Sequence, residues 1–197
     1  MRRTAIGLSV LGAFLLSFVF MTVVHVRAHD DDRDDSRVRR GLAIAPVKLD
    51  LKGKDRELVG TGSYLVNAVG GCADCHSCPT YEPGHNPYGP PSSPIPPGDG
   101  RLNKDNYLAG GVPFFAGITS ANLTPDRKTG RPELGHTFAE FKALIRTGHD
   151  ADEGGRILQV MPWPVYRNMT NEDLRAIYEF LSAIPHAVPG TCSAPGQ

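Results

Sequence analysis

The sequence predicts a small all-α domain over about residues 55–187, built around a bound group that its own side chains cannot replace. Apolar residues recur at helical spacing in three stretches, and two of these follow capping residues. Eight prolines among residues 79–97 exclude a regular helix or a central strand there. A helical domain so rich in glycine and proline has few apolar side chains, so we expect the bound group to complete its core.

The first predicted helix spans residues 55–69 and ends at Gly70 and Gly71. Gly62 lies in its interior, where glycine costs about 1 kcal/mol relative to alanine. A close crossing by another helix would explain this glycine. The predicted apolar stripe consists of Leu58, Gly62, Leu65 and Val69.

Two further helices have clear start signals. Thr137 and Glu140 form a predicted capping box, and Gly148 ends that helix. Thr170 caps the last helix, which Pro185 ends. The expected buried stripes are Phe138, Phe141, Leu144 and Ile145 in one helix, and Leu174, Ile177, Tyr178 and Leu181 in the other.

The segments between the helices are less regular. The proline-rich residues 79–97 are expected to form an ordered surface loop or short insertion, with a polyproline recognition ligand as the alternative. Residues 107–116 are expected to be extended, and residues 118–125 to form a structured turn. Residues 188–197 are expected to form a C-terminal tail.

The N-terminus predicts export from the cytoplasm. Arg2 and Arg3 precede an apolar run, residues 5–24, and Ala28 offers a cleavage site. The run is long enough to span a bilayer, so residues 1–28 are predicted to be either a cleaved signal or a retained membrane anchor. Residues 29–54 are expected to be a charged, flexible linker. The expected location is the periplasm or the outer face of the cytoplasmic membrane.

Charge excludes one class of partner. The formal charge is zero, and loss of residues 1–28 removes three arginines and no acidic residue, which leaves −3. Nucleic-acid binding requires a basic face. We therefore expect no nucleic-acid partner.

The motif Cys72-Ala73-Asp74-Cys75-His76 predicts covalent attachment of one c-type haem. Two thiols at this spacing can each add to one vinyl group of a porphyrin, and the adjacent imidazole of His76 can bind the iron. A zinc half-site would need a second ligand pair, and a redox dithiol would need a βαβ context; the sequence has neither. Cys78 extends the run toward an iron–sulfur pattern, but the expected fourth nearby cysteine is missing.

The second axial ligand decides the function. Met169 precedes the Thr170 cap, where it can form a hydrophobic staple. Met161 lies in the loop of residues 158–164, which two prolines stiffen, and it has no such structural role, so it is predicted to bind the iron opposite His76. The rival donors, expected to be surface histidines, are His85, His136, His149 and His186.

The chain resembles class I cytochromes c, and more narrowly the single-haem cytochrome c domains that serve bacterial periplasmic dehydrogenases and respiratory chains. The resemblance covers about residues 55–187. It rests on the haem motif, on Asn122-Leu123-Thr124-Pro125-Asp126 with Thr129-Gly130, and on Met161-Pro162-Trp163 leading into residues 174–178. It implies that Asn122 and Trp163 lie near the haem and contact its propionates. It also implies that the first and last helices cross through Gly62 and Tyr178.

The resemblance implies a one-electron carrier with both axial positions filled and no catalytic residues. Its partners would be redox proteins: a dehydrogenase, an oxidase or another cytochrome. The alternative is a haem enzyme or a gas or redox sensor with an open or displaceable sixth ligand. Cys78 and Cys192 remain; in an exported protein they are expected to form a disulfide, with two free thiols as the alternative.

Overall fold

The computed structural model describes residues 36–88, 96–115 and 117–192, and their regular structure is mainly helical. Contacts divide the chain into two units, Met1–Arg37 and Val38–Gln197. The predicted export segment and the centre of the proline-rich loop lie outside the described residues. Within the described ranges, no helix is both long enough and apolar enough to cross a membrane.

The helices account for most of the regular structure. Helix α1 covers residues 36–44, α2 covers Arg56–Tyr64 and continues as a π-helical turn over Leu65–Val69, and α3 covers Cys72–His76. After them come α4 (Phe138–Thr147), α5 (Trp163–Tyr166) and α6 (Asn171–Leu181), with 3-10 turns at Lys104–Asn106 and Glu133–Gly135. Two short antiparallel strands, β1 (His149–Asp150) and β2 (Arg156–Ile157), form a hairpin before α5.

Local capping signals set the ends of α4 and α6 as predicted. The Thr137 side chain accepts from the backbone N–H of Glu140, and the Thr170 side chain accepts from that of Asp173, so both caps are reciprocal capping boxes. Gly148 ends α4 with a left-handed φ of 72°. Both predicted apolar stripes face the core, which buries most of their members.

The buried face of α2 differs from the predicted stripe. Val59, Gly62, Ser63 and Val66 are buried, whereas Val69 is 61% exposed. The helix turns its small residues inward, because neighbouring backbones approach it closely on that side. Hydrophobic periodicity alone does not reveal such a face.

The crossing of α2 with α6 forms the centre of the core. A Cβ on Gly62 would collide with the carbonyl of Ala176 and lie 2.8 Å from Cβ of Phe180. The predicted close crossing is therefore confirmed, but its aromatic partner is Phe180 and not Tyr178. Tyr178 instead packs against Phe138, with ring centroids 5.6 Å apart, and donates a hydrogen bond to the carbonyl of His136.

Part of the predicted linker is ordered and packs on this core. In α1, a Cβ on Gly41 would collide with the carbonyl of Gly60, and Ser63 Oγ donates to the carbonyl of Gly41 at 2.7 Å. Farther along, Asp50 N donates to the carbonyl of Ala183 at 2.8 Å. The linker prediction rested on the charge of residues 29–40. The prediction overlooked the apolar residues that follow these charges and contact the core, namely Leu42, Val47, Leu49 and Leu51.

We predict that Gly62→Ala lowers the free energy of unfolding by about 1–3 kcal/mol, because the added methyl group meets backbone that cannot rotate away. This cost exceeds the gain in helix propensity of at most about 1 kcal/mol. Urea unfolding measures the difference. Thr61→Ala, at the neighbouring position of α2, adds no volume and serves as the control, with an expected change within about 0.5 kcal/mol. Equal stability of Gly62→Ala and the native chain would contradict the close crossing.

Candidate haem-attachment site

The attachment turn presents two unpaired thiols on one short helix. Gly71 precedes α3 in a left-handed conformation with φ 57°, and Cys72 and Cys75 follow as free cysteines. Cys72 is half-buried and Cys75 is exposed. Asp74, which lies between them, accepts a hydrogen bond from the Tyr81 hydroxyl at 2.7 Å, which ties the turn to the proline-rich loop.

The ring of His76 is held by a single backbone acceptor. Its Nδ1 lies 2.8 Å from the carbonyl oxygen of Ala121. A carbonyl oxygen only accepts hydrogen bonds, so Nδ1 carries the proton and Nε2 keeps its lone pair. Burial lowers the pKa of His76, which favours this neutral form. The tautomer and the orientation therefore suit an imidazole that binds a metal through Nε2.

Gly110 makes room for this hydrogen bond. Its N–H donates to the carbonyl of His76 at 2.7 Å, and its φ is 73°. A Cβ on Gly110 would lie 2.5 Å from the carbonyl oxygen of Ala121, the same atom that accepts from His76. Any larger residue would push this acceptor away from the ring.

The electrostatics of the two thiols disfavour a redox dithiol. Burial raises the pKa of Cys72 to about 11 and also raises the pKa of Cys75. Reactive dithiols have lowered pKa values that provide a thiolate near neutral pH. These two cysteines are therefore protonated thiols and not a thioredoxin-like pair.

The remaining cysteines form the expected disulfide. Cys78 is bonded to Cys192, across 114 residues of chain. Its sulfur is therefore not available as a third thiolate, which removes the iron–sulfur interpretation of the cysteine run. In the described part of the chain, no three His, Cys, Asp or Glu side chains gather at one point that could hold a metal ion.

The segment that carries Met161 approaches the attachment turn through Tyr166. Met161 is half-buried and packs against the edge of the core. The Tyr166 hydroxyl donates to the carbonyl of Gly70 at 3.4 Å, and its pKa is raised by burial and by the nearby Cys72 and Cys75. Helix α5 therefore lies beside the two thiols, only a few residues after Met161.

Trp163 and Asn122 have structural partners of their own. A Cβ on Gly148 would collide with the Trp163 ring, so the end of α4 packs tightly on the indole. The Asn122 amide donates to the carbonyl of Ala187 and accepts from Thr124. Asn122 directly follows the acceptor of His76. Contacts of Trp163 and Asn122 with haem propionates remain predictions.

The four rival histidines each have another partner. His85 pairs with Asp99 and His136 with Asp152, while His149 and His186 lie within hydrogen-bonding distance of backbone carbonyls. Each of these rings is therefore held by a contact with another protein group.

Sequence reasoning missed two elements of the site. One is the carbonyl of Ala121, which no side chain in the sequence indicates. The pair Gly110-Gly111 could have suggested that another backbone segment approaches closely there. The other is a partly buried charge cluster, in which Nδ1 of His136 lies 3.8 Å from the buried Glu133 and its Nε2 lies 2.7 Å from the exposed Asp152. Glu133 Oε2 and His136 Nδ1 are buried without hydrogen-bond partners among the described residues.

Comparison with known proteins points to one class. The chain is 29% identical over 126 residues to the gluconate 2-dehydrogenase cytochrome c subunit of Pantoea cypripedii. The aligned residues make up 62% of this chain and 22% of that protein. It is 30% identical over 129 residues to the cytochrome c subunit of a quinone alcohol dehydrogenase from Gluconacetobacter polyoxogenes, with 64% and 22% covered. The fructose dehydrogenase cytochrome subunit of Gluconobacter japonicus is 28% identical over 129 residues, with 64% and 21% covered.

The chain therefore resembles cytochrome c subunits of dehydrogenases. It spans about a fifth of the length of these relatives. No family model matches the chain, and no solved structure matches it.

The charge cluster generates a prediction about pH. The carboxylates of Glu133 and Asp152 raise the pKa of His136 to about 9, so folding favours its charged form. This stabilisation is complete below the unfolded-state pKa of about 6.5 and is lost as the pH rises through about 9. His136→Gln should remove that loss, so that its melting temperature depends less on pH between about 6.5 and 9 than that of the native chain. His149→Gln, outside the cluster, is the control; if His136→Gln keeps the native pH profile, the assignment is wrong.

Proposed function

We propose that this protein is a one-electron carrier that holds one c-type haem through thioether bonds to Cys72 and Cys75, with His76 and Met161 as axial ligands. The observation that carries the proposal is the hydrogen bond between His76 Nδ1 and the carbonyl of Ala121, within a Cys-x-x-Cys-His turn whose thiols are both free. The haem would supply an iron that changes between its ferrous and ferric states.

The residues present fit this group in three respects. The thiols of Cys72 and Cys75 are unpaired, while the other two cysteines are joined to each other. His76 is neutral and directed by its Nδ1 contact, so Nε2 is the atom left to bind iron. Desolvation raises the pKa of both thiols, which favours the S–H form that can contribute its sulfur and its hydrogen to a vinyl group.

Met161 is the proposed second axial ligand. It lies in a segment stiffened by Pro162 and Pro164, and the helix that follows contacts the attachment turn through Tyr166. A stiff segment loses little conformational entropy when a weak thioether bond forms. Asn122 and Trp163 are proposed to lie at the edge of the haem and to contact its propionates.

The relatives and the N-terminal sequence support the proposed partners and location. The relatives are cytochrome subunits of dehydrogenases, so we propose a dehydrogenase as electron donor and an oxidase or another cytochrome as acceptor. Residues 1–28 would direct the chain to the periplasm, as a cleaved signal or a membrane anchor.

We predict that the purified protein carries one haem that acid–acetone extraction does not remove, because two thioether bonds hold it. Intact mass spectrometry should show the chain plus one haem. Replacing Cys72 and Cys75 with alanine should abolish the added mass, whereas replacing Cys78 and Cys192 with serine should leave it. A native chain that loses its colour on extraction would contradict covalent attachment.

We predict that Met161→Ala removes the weak near-infrared sulfur-to-iron band, opens the iron to carbon monoxide and lowers the reduction potential by on the order of 0.1 V or more, within the ~0.8 V range that axial ligands span. A soft sulfur donor favours ferrous iron, so its loss favours the ferric form. Optical spectra and potentiometry measure these changes. Met169→Ala is the matched control and should leave the spectrum unchanged. A native protein that binds carbon monoxide readily and lacks the sulfur band would support the enzyme or sensor alternative instead.

A further inference from the structure

The C-terminal residues run along the segments that surround His76. We call residues 187–192 the C-terminal strap. Asn106 Nδ2 donates to the carbonyl of Val188 at 3.0 Å, and Gly190 N donates to the carbonyl of Cys78 at 2.8 Å. The disulfide to Cys192 fastens the far end of the strap to Cys78, which lies two residues after His76.

The strap approaches these segments as closely as backbone allows. A Cβ on Gly111 would lie 2.5 Å from Cβ of Pro189, and a Cβ on Gly190 would lie 2.5 Å from the carbonyl oxygen of Cys78. Neither contact could accommodate a larger residue. The strap therefore packs against the backbone at Cys78, two residues after His76, and at Gly111, next to Gly110.

A group of hydrogen-bonded residues, Asn122, Thr124 and Ala187, connects the strap to Ala121, whose carbonyl accepts from His76. We call this group the polar node. Asn122 Nδ2 donates to the carbonyl of Ala187 at 2.9 Å, and Asn122 Oδ1 accepts from Thr124 N at 2.8 Å and from Thr124 Oγ1 at 2.7 Å. Ala187 N in turn donates to Thr124 Oγ1 at 3.1 Å. Thr124 is only 2% exposed, so water cannot replace these bonds without opening the structure.

The node begins one residue after Ala121. The backbone of Ala121 packs closely against Gly110, and the residue that follows it, Asn122, is hydrogen-bonded to Ala187. Movement of the node would move the Ala121 carbonyl relative to the imidazole N–H, and a hydrogen bond of 2.8 Å weakens steeply as its length and angle depart from the optimum.

We propose that Asn122, Thr124 and the C-terminal strap are positioning elements for His76, which hold the Ala121 carbonyl on Nδ1 and thereby set the reduction potential of the bound haem. This inference rests on the proposed function, in which His76 binds the iron. A hydrogen bond from Nδ1–H to a fixed acceptor raises the basicity of the imidazole, and a more basic ligand favours the ferric state. Loosening the node should therefore favour the ferrous state and raise the potential.

The simplest alternative is that the strap only fastens the chain terminus. Both roles predict a loss of stability when the node is broken. Only the positioning role predicts a change at the ring of His76. The test therefore needs a measurement at the ring and a variant that is destabilised elsewhere.

The test compares three variants of the full haem-loaded chain. Thr124→Val keeps the shape of the side chain but removes its hydroxyl, Thr124→Ser restores the hydroxyl, and Thr170→Ala removes the distant cap of α6. Thr124→Val should shift the ferric–ferrous equilibrium at least threefold toward ferrous, where tenfold corresponds to 59 mV. It should also move the ¹⁵N chemical shift of His76 Nδ1. Thr124→Ser should return both values toward those of the native chain.

The control defines the result that would overturn the inference. Thr170→Ala should lower the melting temperature without changing the potential or the Nδ1 shift. If Thr124→Val behaves in the same way, the strap is only a fastening. If Thr124→Val does not load haem, the double variant Cys78→Ser, Cys192→Ser releases the end of the strap, and an unchanged potential there also overturns the proposal. A native chain without covalent haem would instead contradict the proposed function.

Discussion

One hydrogen bond constrains the geometry of the whole site, the bond from His76 Nδ1 to the carbonyl of Ala121. The donor lies at the end of α3, whereas the acceptor lies in an irregular segment far along the chain. Among the described residues, no helix or strand contains both, so several weak contacts must join them. Gly110 allows the carbonyl of Ala121 to approach. An isolated parallel β-bridge between Ser77 and Gly110 aligns the backbones of these two residues. The disulfide then closes the same region from the C-terminal side.

The molecule thus combines two kinds of construction. Its core consists of helices that approach closely through small residues, as at Gly41, Gly60 and Gly62. Its candidate site consists of the short helix α3 and of loops that are held by backbone hydrogen bonds and one covalent cross-link. Helix packing positions the attachment turn as a unit. The loops then determine which atoms face the imidazole. These atoms set the orientation and the basicity of the ring as a ligand.

Local signals made α4, α6, most of α2 and the attachment motif predictable from the sequence, whereas α1 and α5 lie in segments that were predicted to be a linker and a proline-stiffened loop. The caps at Thr137 and Thr170 lie within three residues of their partners, so short-range pattern suffices. The order of residues 38–51 was not predictable, because the charges before it resemble those of a linker and its apolar residues pack on distant helices. The acceptor of His76 was not predictable either. A backbone carbonyl is present at every residue, and only the fold selects the one at Ala121.

The crossing of α2 and α6 has a consequence for the order in which the fold can form during synthesis. Gly62 has no Cβ because the backbone of Ala176 occupies that space, and Phe180 packs beside it. The two halves of this contact leave the ribosome far apart in time. Until α6 emerges, α1 covers only part of the buried face of α2, and the attachment turn that follows α2 is not yet supported. A nascent or truncated chain that ends before α6 would therefore expose both thiols on an unfinished scaffold.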